Sequence, residues 1–295
     1  MSVIAAIVVV GVPALVILLA VVLSNRNQTM VSVSREWRAV RLIQVLGLVG
    51  GVLVAWLVAD ALDLGRGLML VPAIVGLGVV SGVALGETVV RPARPDGPRT
   101  ASLNTRRVAS YLPSGLAGLV AAVLGAHAAT LALTSATASA DDLGRAGRQV
   151  VARCGNISSG AGPYPGSFYS APVAAVLLLI CVVAALAITI VVRRPRGLAA
   201  DEIGDDVLRR RSVSTVLGAV GAAVAVSHAG IAFFAGTALR RMDCQAEWMD
   251  PVAVVLLASV PVVVVLLGWF LVRTVAAGSS NHLRGVEQPS EWGQR

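Results

Sequence analysis

The chain has 295 residues, of which 56% are hydrophobic, and its mean hydropathy of +0.81 excludes an ordinary soluble globular protein. Its formal net charge is +8, and all 24 basic residues are arginine. Because lysine is absent, no retinal Schiff base can form, which excludes a rhodopsin. An arginine-only set of basic residues is also typical of GC-rich coding sequence and indicates an actinobacterium-like source.

Seven apolar stretches are each long enough to cross the ~30 Å hydrocarbon core of a bilayer. They predict an all-α, polytopic membrane domain over residues 1–272 and a cytoplasmic tail over 273–295. The seven predicted transmembrane helices are 3–23, 42–59, 67–88, 114–135, 171–192, 213–238 and 251–272. The first, which no basic residue precedes, is too long for the apolar core of a signal peptide.

The arginines predict how the chain is threaded. With the N-terminus outside and the C-terminus inside, 18 of the 24 arginines lie in inner segments, as the positive-inside rule requires. This segregation explains the net charge without a nucleic-acid partner and predicts the lipid bilayer, with its anionic head groups, as the partner surface. The sequence therefore predicts a multi-pass protein of a bacterial cytoplasmic membrane.

Two helical hairpins look like copies of each other. Residues 121–128 and 222–229 are similar, and each is followed by one polar loop and by a span that opens on Pro172 or Pro251. Spans two and three match as a weaker third copy, in which Val71-Pro72 stands at the corresponding place. The predicted architecture is one helix plus three helical hairpins.

Local patterns predict two further features. In span three, Gly78, Gly82 and Gly86 recur every four residues, which favours a helix face where another backbone approaches closely. Before span six, residues 201–211 carry acidic residues early and arginines late, with Asp205 and Arg209 four apart. That order predicts a short, solvated helix that leads into the membrane.

The stretch Gly86-Glu87-Thr88-Val89-Val90-Arg91-Pro92, with Arg99-Thr100-Ala101-Ser102-Leu103 after it, resembles a group of uncharacterised actinobacterial multi-pass membrane proteins. The resemblance covers mainly spans three and four and the loop between them. It implies a multi-pass membrane fold. It implies no activity and assigns no functional residue.

No motif for catalysis is complete. The sequence has no His-Glu-x-x-His, no Walker loop and no cysteine pair at metal-ligand spacing. Gly78-Val79-Val80-Ser81-Gly82 is one residue too long for the nucleophile motif of a rhomboid-type protease. We therefore expect a protein that is not an enzyme and needs no cofactor, with haem or a metal ion as the alternative.

The three cysteines fall in different environments. Cys154 lies in the outer loop 136–170 and Cys244 in the outer loop 239–250. In an oxidising compartment they can form a disulfide, and two free thiols are the alternative. Cys181 lies in the middle of span five and is typical of a packing residue.

Glu87 is the only carboxylate within a predicted span, close to its inner end. Arg91 follows one turn later, so an anchoring ion pair is the simplest interpretation. A proton or cation site at Glu87 is the alternative, because ionisable groups inside a bilayer are usually functional.

His127 and His228 lie at equivalent places in the two similar hairpins, 13 and 15 residues from the inner ends of their spans. Both therefore sit roughly 20 Å deep at ~1.5 Å per residue. Each imidazole could simply bond a neighbouring helix group such as Thr130 or Ser227. The alternative is a joint site, either a proton relay or a pair of ligands to a haem or a metal ion. Small residues that could leave room for a haem are Gly125, Ala126, Ala129, Ala229 and Gly230.

Two functions follow from these features. The first is a non-catalytic membrane scaffold, assembly factor or sensor that contacts other membrane proteins through its Gly/Ala-rich helix faces. The second is a small transporter, or a haem- or metal-binding membrane protein, that uses His127 and His228.

Overall fold

A computed structural model describes residues 35–89, 107–195 and 202–276. The predicted first span, 3–23, and the tail from 277 onward lie outside the described residues. Within the described residues, six helices are long and apolar enough to cross a membrane. They are α1 (Arg35–Ala61), α2 (Arg66–Val89), α3 (Ser114–Thr137), α4 (Ser167–Arg193), α5 (Glu202–Arg240) and α6 (Met249–Ala276). α6 continues through Pro261 and ends at Ala276, four residues beyond the predicted end of the span at 272.

The six helices form three consecutive hairpins whose connections meet on one side. A short 3₁₀ turn, Asp63–Gly65, joins α1 to α2. The Tyr169 hydroxyl donates to the Leu64 carbonyl at 3.0 Å, which fixes the start of α4 to this turn. A disulfide between Cys154 and Cys244 joins the other two connections. We call this side the cap side, and we call the opposite side, which carries Arg193, Arg194 and Arg209–Arg211, the arginine side.

The α3–α4 connection contains two β-strands, so the all-α prediction is wrong in this segment. Strands β1 (Val150–Cys154) and β2 (Ile157–Ala161) form an antiparallel hairpin, with Val150 paired to Ala161 and Cys154 to Ile157. Alternation of Val150 and Ala152 on the buried face, with a Gly155-Asn156 turn, satisfies the local rules for a β-hairpin. Tyr164 packs below it and is fully buried.

The predicted disulfide between Cys154 and Cys244 is present, with 6.1 Å between the two Cα atoms. It joins the end of β1 to the α5–α6 connection. Cys244 is buried in a small apolar cluster with Val150, Tyr164 and Met249. The bridge therefore holds the hairpin down on the cap-side ends of the helices.

α1 and α2 pack through a glycine seam. Gly47 and Gly51 of α1 face Gly78 and Gly82 of α2, and a methyl group added at Gly78 would lie 2.5 Å from the Gly51 Cα and 2.6 Å from the Gly47 carbonyl oxygen. The close packing predicted for Gly78 and Gly82 is therefore confirmed. The face serves an internal contact, which explains why its residues had to be small.

α5 is the central helix of the bundle and packs against α2, α3, α4 and α6. In its most apolar stretch 78% of the residues are buried, against 11% in α1. The separate helix predicted over 201–211 does not exist, because α5 runs without a break over 39 residues. At ~1.5 Å per residue it spans roughly 58 Å, about twice the ~30 Å core of a bilayer.

Candidate functional site

His127 and His228 come together at the contact between α3 and α5. The ring centroids of His127 and His228 are 5.5 Å apart, and the ring planes are inclined by 77°. Both side chains are buried, His127 completely. The pairing arises because α3 and α5 run in the same direction and enter from the arginine side, so equal depth along each helix gives equal height in the bundle.

Hydrogen bonds define the tautomer of His228. Its Nε2 lies 3.1 Å from the Ser259 hydroxyl oxygen on α6. The single Ser259 hydroxyl proton is used at 2.7 Å on the Leu256 carbonyl oxygen, so Ser259 accepts and Nε2 carries the donated proton. Neutral His228 therefore has its lone pair on Nδ1, and Nδ1 is buried without a partner.

His127 has no hydrogen-bond partner at either ring nitrogen, although both atoms are buried. The neighbours expected for these imidazoles are not used: the Thr130 hydroxyl donates to the Ala126 carbonyl at 2.9 Å, and the Ser227 hydroxyl is itself buried and unpartnered. Each unsatisfied buried polar group costs about 1–3 kcal/mol. Three of the four ring nitrogens are unpartnered, and a bound cation could take one lone pair from each ring.

The space between the histidines does not suit a haem. α3 and α5 are in direct contact, and a porphyrin would need a flat cavity between them. Gly125, Ala126 and Ala129, which the sequence suggested could leave room, are exposed on the outward side of α3. A methyl group added at Gly125 or Gly230 would meet nothing within 4 Å. These small residues therefore shape the surface of the bundle and not a pocket at the ring pair.

Glu87 lies elsewhere. It is buried at the arginine-side end of α2, where its Oε2 accepts a hydrogen bond of 2.5 Å from the Ser212 hydroxyl. Arg91, its predicted partner, lies outside the described residues. Ser212 is 16 residues from His228 along α5, or roughly 24 Å at ~1.5 Å per residue. The three candidate polar residues thus form two separate sites.

The arginine side holds a buried ionic cluster that the sequence did not reveal. Arg209 is completely buried, and its guanidinium donates to Asp206 Oδ1 at 3.0 Å and to the Arg194 carbonyl at 3.2 Å. Asp205 Oδ2 lies 4.0 Å away. The solvated helix predicted for this segment is therefore wrong. The signal that could have found the cluster is the spacing of Asp205, Arg209 and Ser212, which places all three on one helix face.

Two neighbouring groups join this cluster to the helix ends around it. The Tyr111 hydroxyl, just before α3, donates to Asp206 Oδ1 at 2.9 Å. Burial lowers the pKa of Arg194, against the opposing effect of Glu87. Segments from α2, α3, α4 and α5 are thus tied together by charge at this end of the bundle.

The chemical possibilities of the histidine pair are limited by its surroundings. Within residues 35–89, 107–195 and 202–276, no group of three or more His, Cys, Asp or Glu side chains could hold a metal ion. What the pair offers is two neutral imidazoles with free lone pairs and nearby hydroxyls.

No family model, no curated protein and no solved structure matches the chain.

Proposed function

We propose that this chain is a multi-pass protein of a bacterial cytoplasmic membrane that binds one transition-metal ion between His127 and His228. The observation that carries the proposal is the pair of buried imidazoles, 5.5 Å apart, with unpartnered nitrogens. Two imidazoles that share an ion at ~2.0–2.1 Å have their ring centroids within roughly 6 Å of each other. The observed separation lies within that limit.

The hydrogen bond to Ser259 has the form expected around a metal-binding histidine. Such histidines usually donate their second ring N–H to an oxygen, which fixes both the tautomer and the ring orientation. His228 donates through Nε2 to Ser259 and keeps its Nδ1 lone pair free. The residue is therefore held in the state that a metal ion needs without having to exchange a proton.

Charge selects the kind of ion. Glu87 lies at the arginine side, and within the described residues no carboxylate or thiolate joins the two rings in a group of three or more possible metal ligands. The cost of burying an ion in an apolar medium rises with the square of its charge, so a divalent ion would cost about four times as much as a monovalent one. Among ions that imidazole binds well, Cu(I) is monovalent. We therefore propose Cu(I), with Ag(I) as its redox-inert substitute.

The experiment is a metal count on the purified protein in detergent. In a Cys181→Ala background, which removes the one free thiol among the described residues, excess Ag(I) followed by gel filtration should leave about one ion per chain. His127→Asn and His228→Asn should each lose it. His282→Gln is the matched control, since it removes the only other histidine.

Equal silver in wild type and in both asparagine variants, with all three proteins folded, would refute the histidine site. Retention of two nitrogen ligands by X-ray absorption in the wild type, and their loss in either variant, would establish it. Folding is checked by the persistence of the Cys154–Cys244 disulfide on non-reducing gels, because that bridge forms only when the two connections meet.

A scaffold function is the second candidate, and one observation favours it. Methyl groups added at Gly115, Gly118 or Gly125 of α3 would meet nothing within 4 Å, so this helix presents a smooth face on which a helix of another membrane protein could pack. Gly125→Leu should then abolish crosslinking to such a partner. Gly268→Leu on α6, at a glycine that is equally free of contacts, should leave it unchanged.

A further inference from the structure

We propose that the cap side carries a binding site for a phosphate group. The site is built from Arg66 at the start of α2, Arg148 of the α3–α4 connection and Phe168 near the start of α4. We call these three residues the cap-side phosphate site. It does not depend on the proposed metal site at the histidine pair.

Both guanidinium groups of the site stack on the same aromatic ring. The Cζ atom of Arg66 lies 4.9 Å from the centroid of the Phe168 ring, and the Cζ atom of Arg148 lies 5.3 Å from it. By these two distances, the Cζ atoms are at most about 10 Å apart. Two guanidiniums that bond one phosphate from opposite sides at ~2.8 Å have their carbons roughly 8 Å apart. The shared ring therefore holds the two arginines within the separation that one phosphate requires.

Stacking leaves the hydrogen-bond donors of Arg66 free. A guanidinium donates in its own plane and stacks through its faces. Arg66 forms no hydrogen bond and no ion pair with any described residue. Its Nε is buried, but its two terminal nitrogens, which also lack partners, are not. A ligand can therefore reach these terminal N–H groups from the surface, without any opening of the bundle.

Arg148 is held beside Arg66 by contacts on three sides. Its Nη1 donates to the carboxylate of Asp141, and its Nη2 lies 3.5 Å from the Tyr169 hydroxyl oxygen. The Tyr169 hydroxyl donates at 3.0 Å to the carbonyl of Leu64, two residues before Arg66. These contacts join the α3–α4 connection to the α1–α2 turn, so the two arginines are brought together by the fold and not by sequence proximity.

Gly147 lets the α3–α4 connection lie directly on the start of α4. Its φ of +73° is in the left-handed region, and a methyl group added there would lie 2.9 Å from the backbone nitrogen of Phe168. Glycine is the residue that tolerates both this conformation and so close an approach. Arg148, the next residue along the chain, is thereby placed against the Phe168 ring.

Charge at this place is predominantly positive. Arg145 and Arg148 share one carboxylate, that of Asp141, and Arg66 has no carboxylate partner among the described residues. Only six of the 24 arginines lie in the predicted outer segments, so half of those six gather here. An anionic ligand would offset the excess of positive charge. The neighbouring acidic residues along the chain are exposed: Asp63 and Asp142.

The kind of ligand follows from the donors and from the level of the site. Guanidinium donors match the oxygens of phosphates and carboxylates. A phosphate has oxygens on all sides and accepts from two guanidiniums at once, whereas a carboxylate presents two oxygens in one plane. Arg66 is the first residue of α2 and Phe168 the second of α4, so in a bilayer the site lies near the lipid phosphates. Two sources share this chemistry, an anionic lipid head group and free inorganic phosphate.

The test measures both sources on the full chain purified in detergent. Binding of phosphatidylglycerol is followed by native mass spectrometry, and binding of inorganic phosphate by isothermal titration calorimetry. Arg66→Gln should weaken binding of the phosphate ligand about tenfold or more, the effect of losing a charged hydrogen-bond donor. Arg153→Gln is the matched control, because it removes the same charge from an exposed position on the cap side and should leave binding unchanged.

Competition between the two ligands identifies the source. Bound phosphatidylglycerol that excess inorganic phosphate does not displace identifies a lipid head group, and phosphate binding that phosphatidylglycerol does not affect identifies the free ion. Wild type that binds neither ligand, or equal weakening by Arg66→Gln and Arg153→Gln, would overturn the site. Folding of each variant is checked by the persistence of the Cys154–Cys244 disulfide on non-reducing gels. The silver measurement on the histidine pair is independent of every one of these outcomes.

Discussion

The glycine seam between α1 and α2 allows a sharp test of how this bundle is held together. We consider Gly78→Ala. The added methyl carbon would lie 2.5 Å from the Gly51 Cα and 2.6 Å from the Gly47 carbonyl oxygen. Both are backbone atoms, so no side chain can turn aside, and relief requires the two helices to separate by about 1 Å, because carbon atoms pack at roughly 3.5–4.0 Å.

The size of the effect follows from a comparison with a second glycine. Gly50 lies on α1 beside the seam, but a methyl group added there would meet nothing within 4 Å. Both substitutions gain the same helix propensity, about 1 kcal/mol in favour of alanine. Gly50→Ala should therefore stabilise the protein slightly. Gly78→Ala carries in addition the cost of overpacking, typically about 1–3 kcal/mol, so the two variants should differ by that amount.

The assay is thermal unfolding of the two variants in the same detergent, monitored by the rate at which the half-buried Cys181 thiol reacts with a fluorescent maleimide. For a protein of this size, ~1–3 kcal/mol corresponds to a separation in Tm of roughly 2–10 °C, with Gly50→Ala the more stable. Equal Tm values would show that α1 and α2 do not approach as closely as the seam implies. A Gly78→Ala variant more stable than Gly50→Ala would contradict the packing outright.

Three further predictions concern other parts of the molecule. Arg209→Met should destabilise the protein by about 3 kcal/mol or more, because it removes the buried guanidinium that bonds Asp206 Oδ1 at 3.0 Å and lies 4.0 Å from Asp205 Oδ2. Arg210→Met, at an exposed position of the same turn, should stay within ~0.5 kcal/mol of wild type in the same unfolding assay. An impermeant maleimide applied to intact cells should label Leu143→Cys and not Ile203→Cys. These side chains are 75% and 74% exposed and lie on opposite sides of the bundle. The reverse labelling pattern would show that the predicted threading is inverted. Desolvation raises the pKa of Asp141, but hydrogen bonds from Arg145 and Leu143 lower it by more, so the net change is a decrease. The carboxylate therefore stabilises the cap above its unfolded pKa of ~3.9, and this stabilisation is lost as the pH falls below that value. Protease resistance of the cap should drop below about pH 4 in wild type and be low already at neutral pH in Asp141→Asn.

Much of the architecture was predictable because it depends on one-dimensional properties. Length and apolarity locate the six described helices, whose ends agree with the predicted spans to within a few residues except at α1 and α5. The periodicity of glycines predicted a close approach of another backbone at Gly78 and Gly82, and the helix that makes it is α1. The equal depth of His127 and His228 followed from counting residues along helices that run in the same direction, and the two rings lie 5.5 Å apart.

What the sequence could not predict depends on which surfaces face each other. The charged residues at 202–211 look like a solvated helix until Arg194, Glu87 and Tyr111 are brought beside them by three other helices. The role of Ser259 depends on the rotation of α6, which an almost uniformly apolar helix does not encode. The β-hairpin was missed because strands β1 and β2 are only five residues long and sit between glycines that favour an irregular loop.

The central position of α5 has a consequence for biosynthesis. If the chain enters a membrane as it is synthesised, α1 to α4 arrive before α5 exists, and their inward faces first contact lipid or the insertion machinery. Leu177 and Ile180 of α4 are apolar and can contact lipid at that stage. The imidazole of His127 on α3 is polar, and the ring that packs against it, His228, is synthesised about a hundred residues later. The arrival of α5 is thus the event that turns a row of separate hairpins into a bundle. Chains shortened to end before it should remain sensitive to protease.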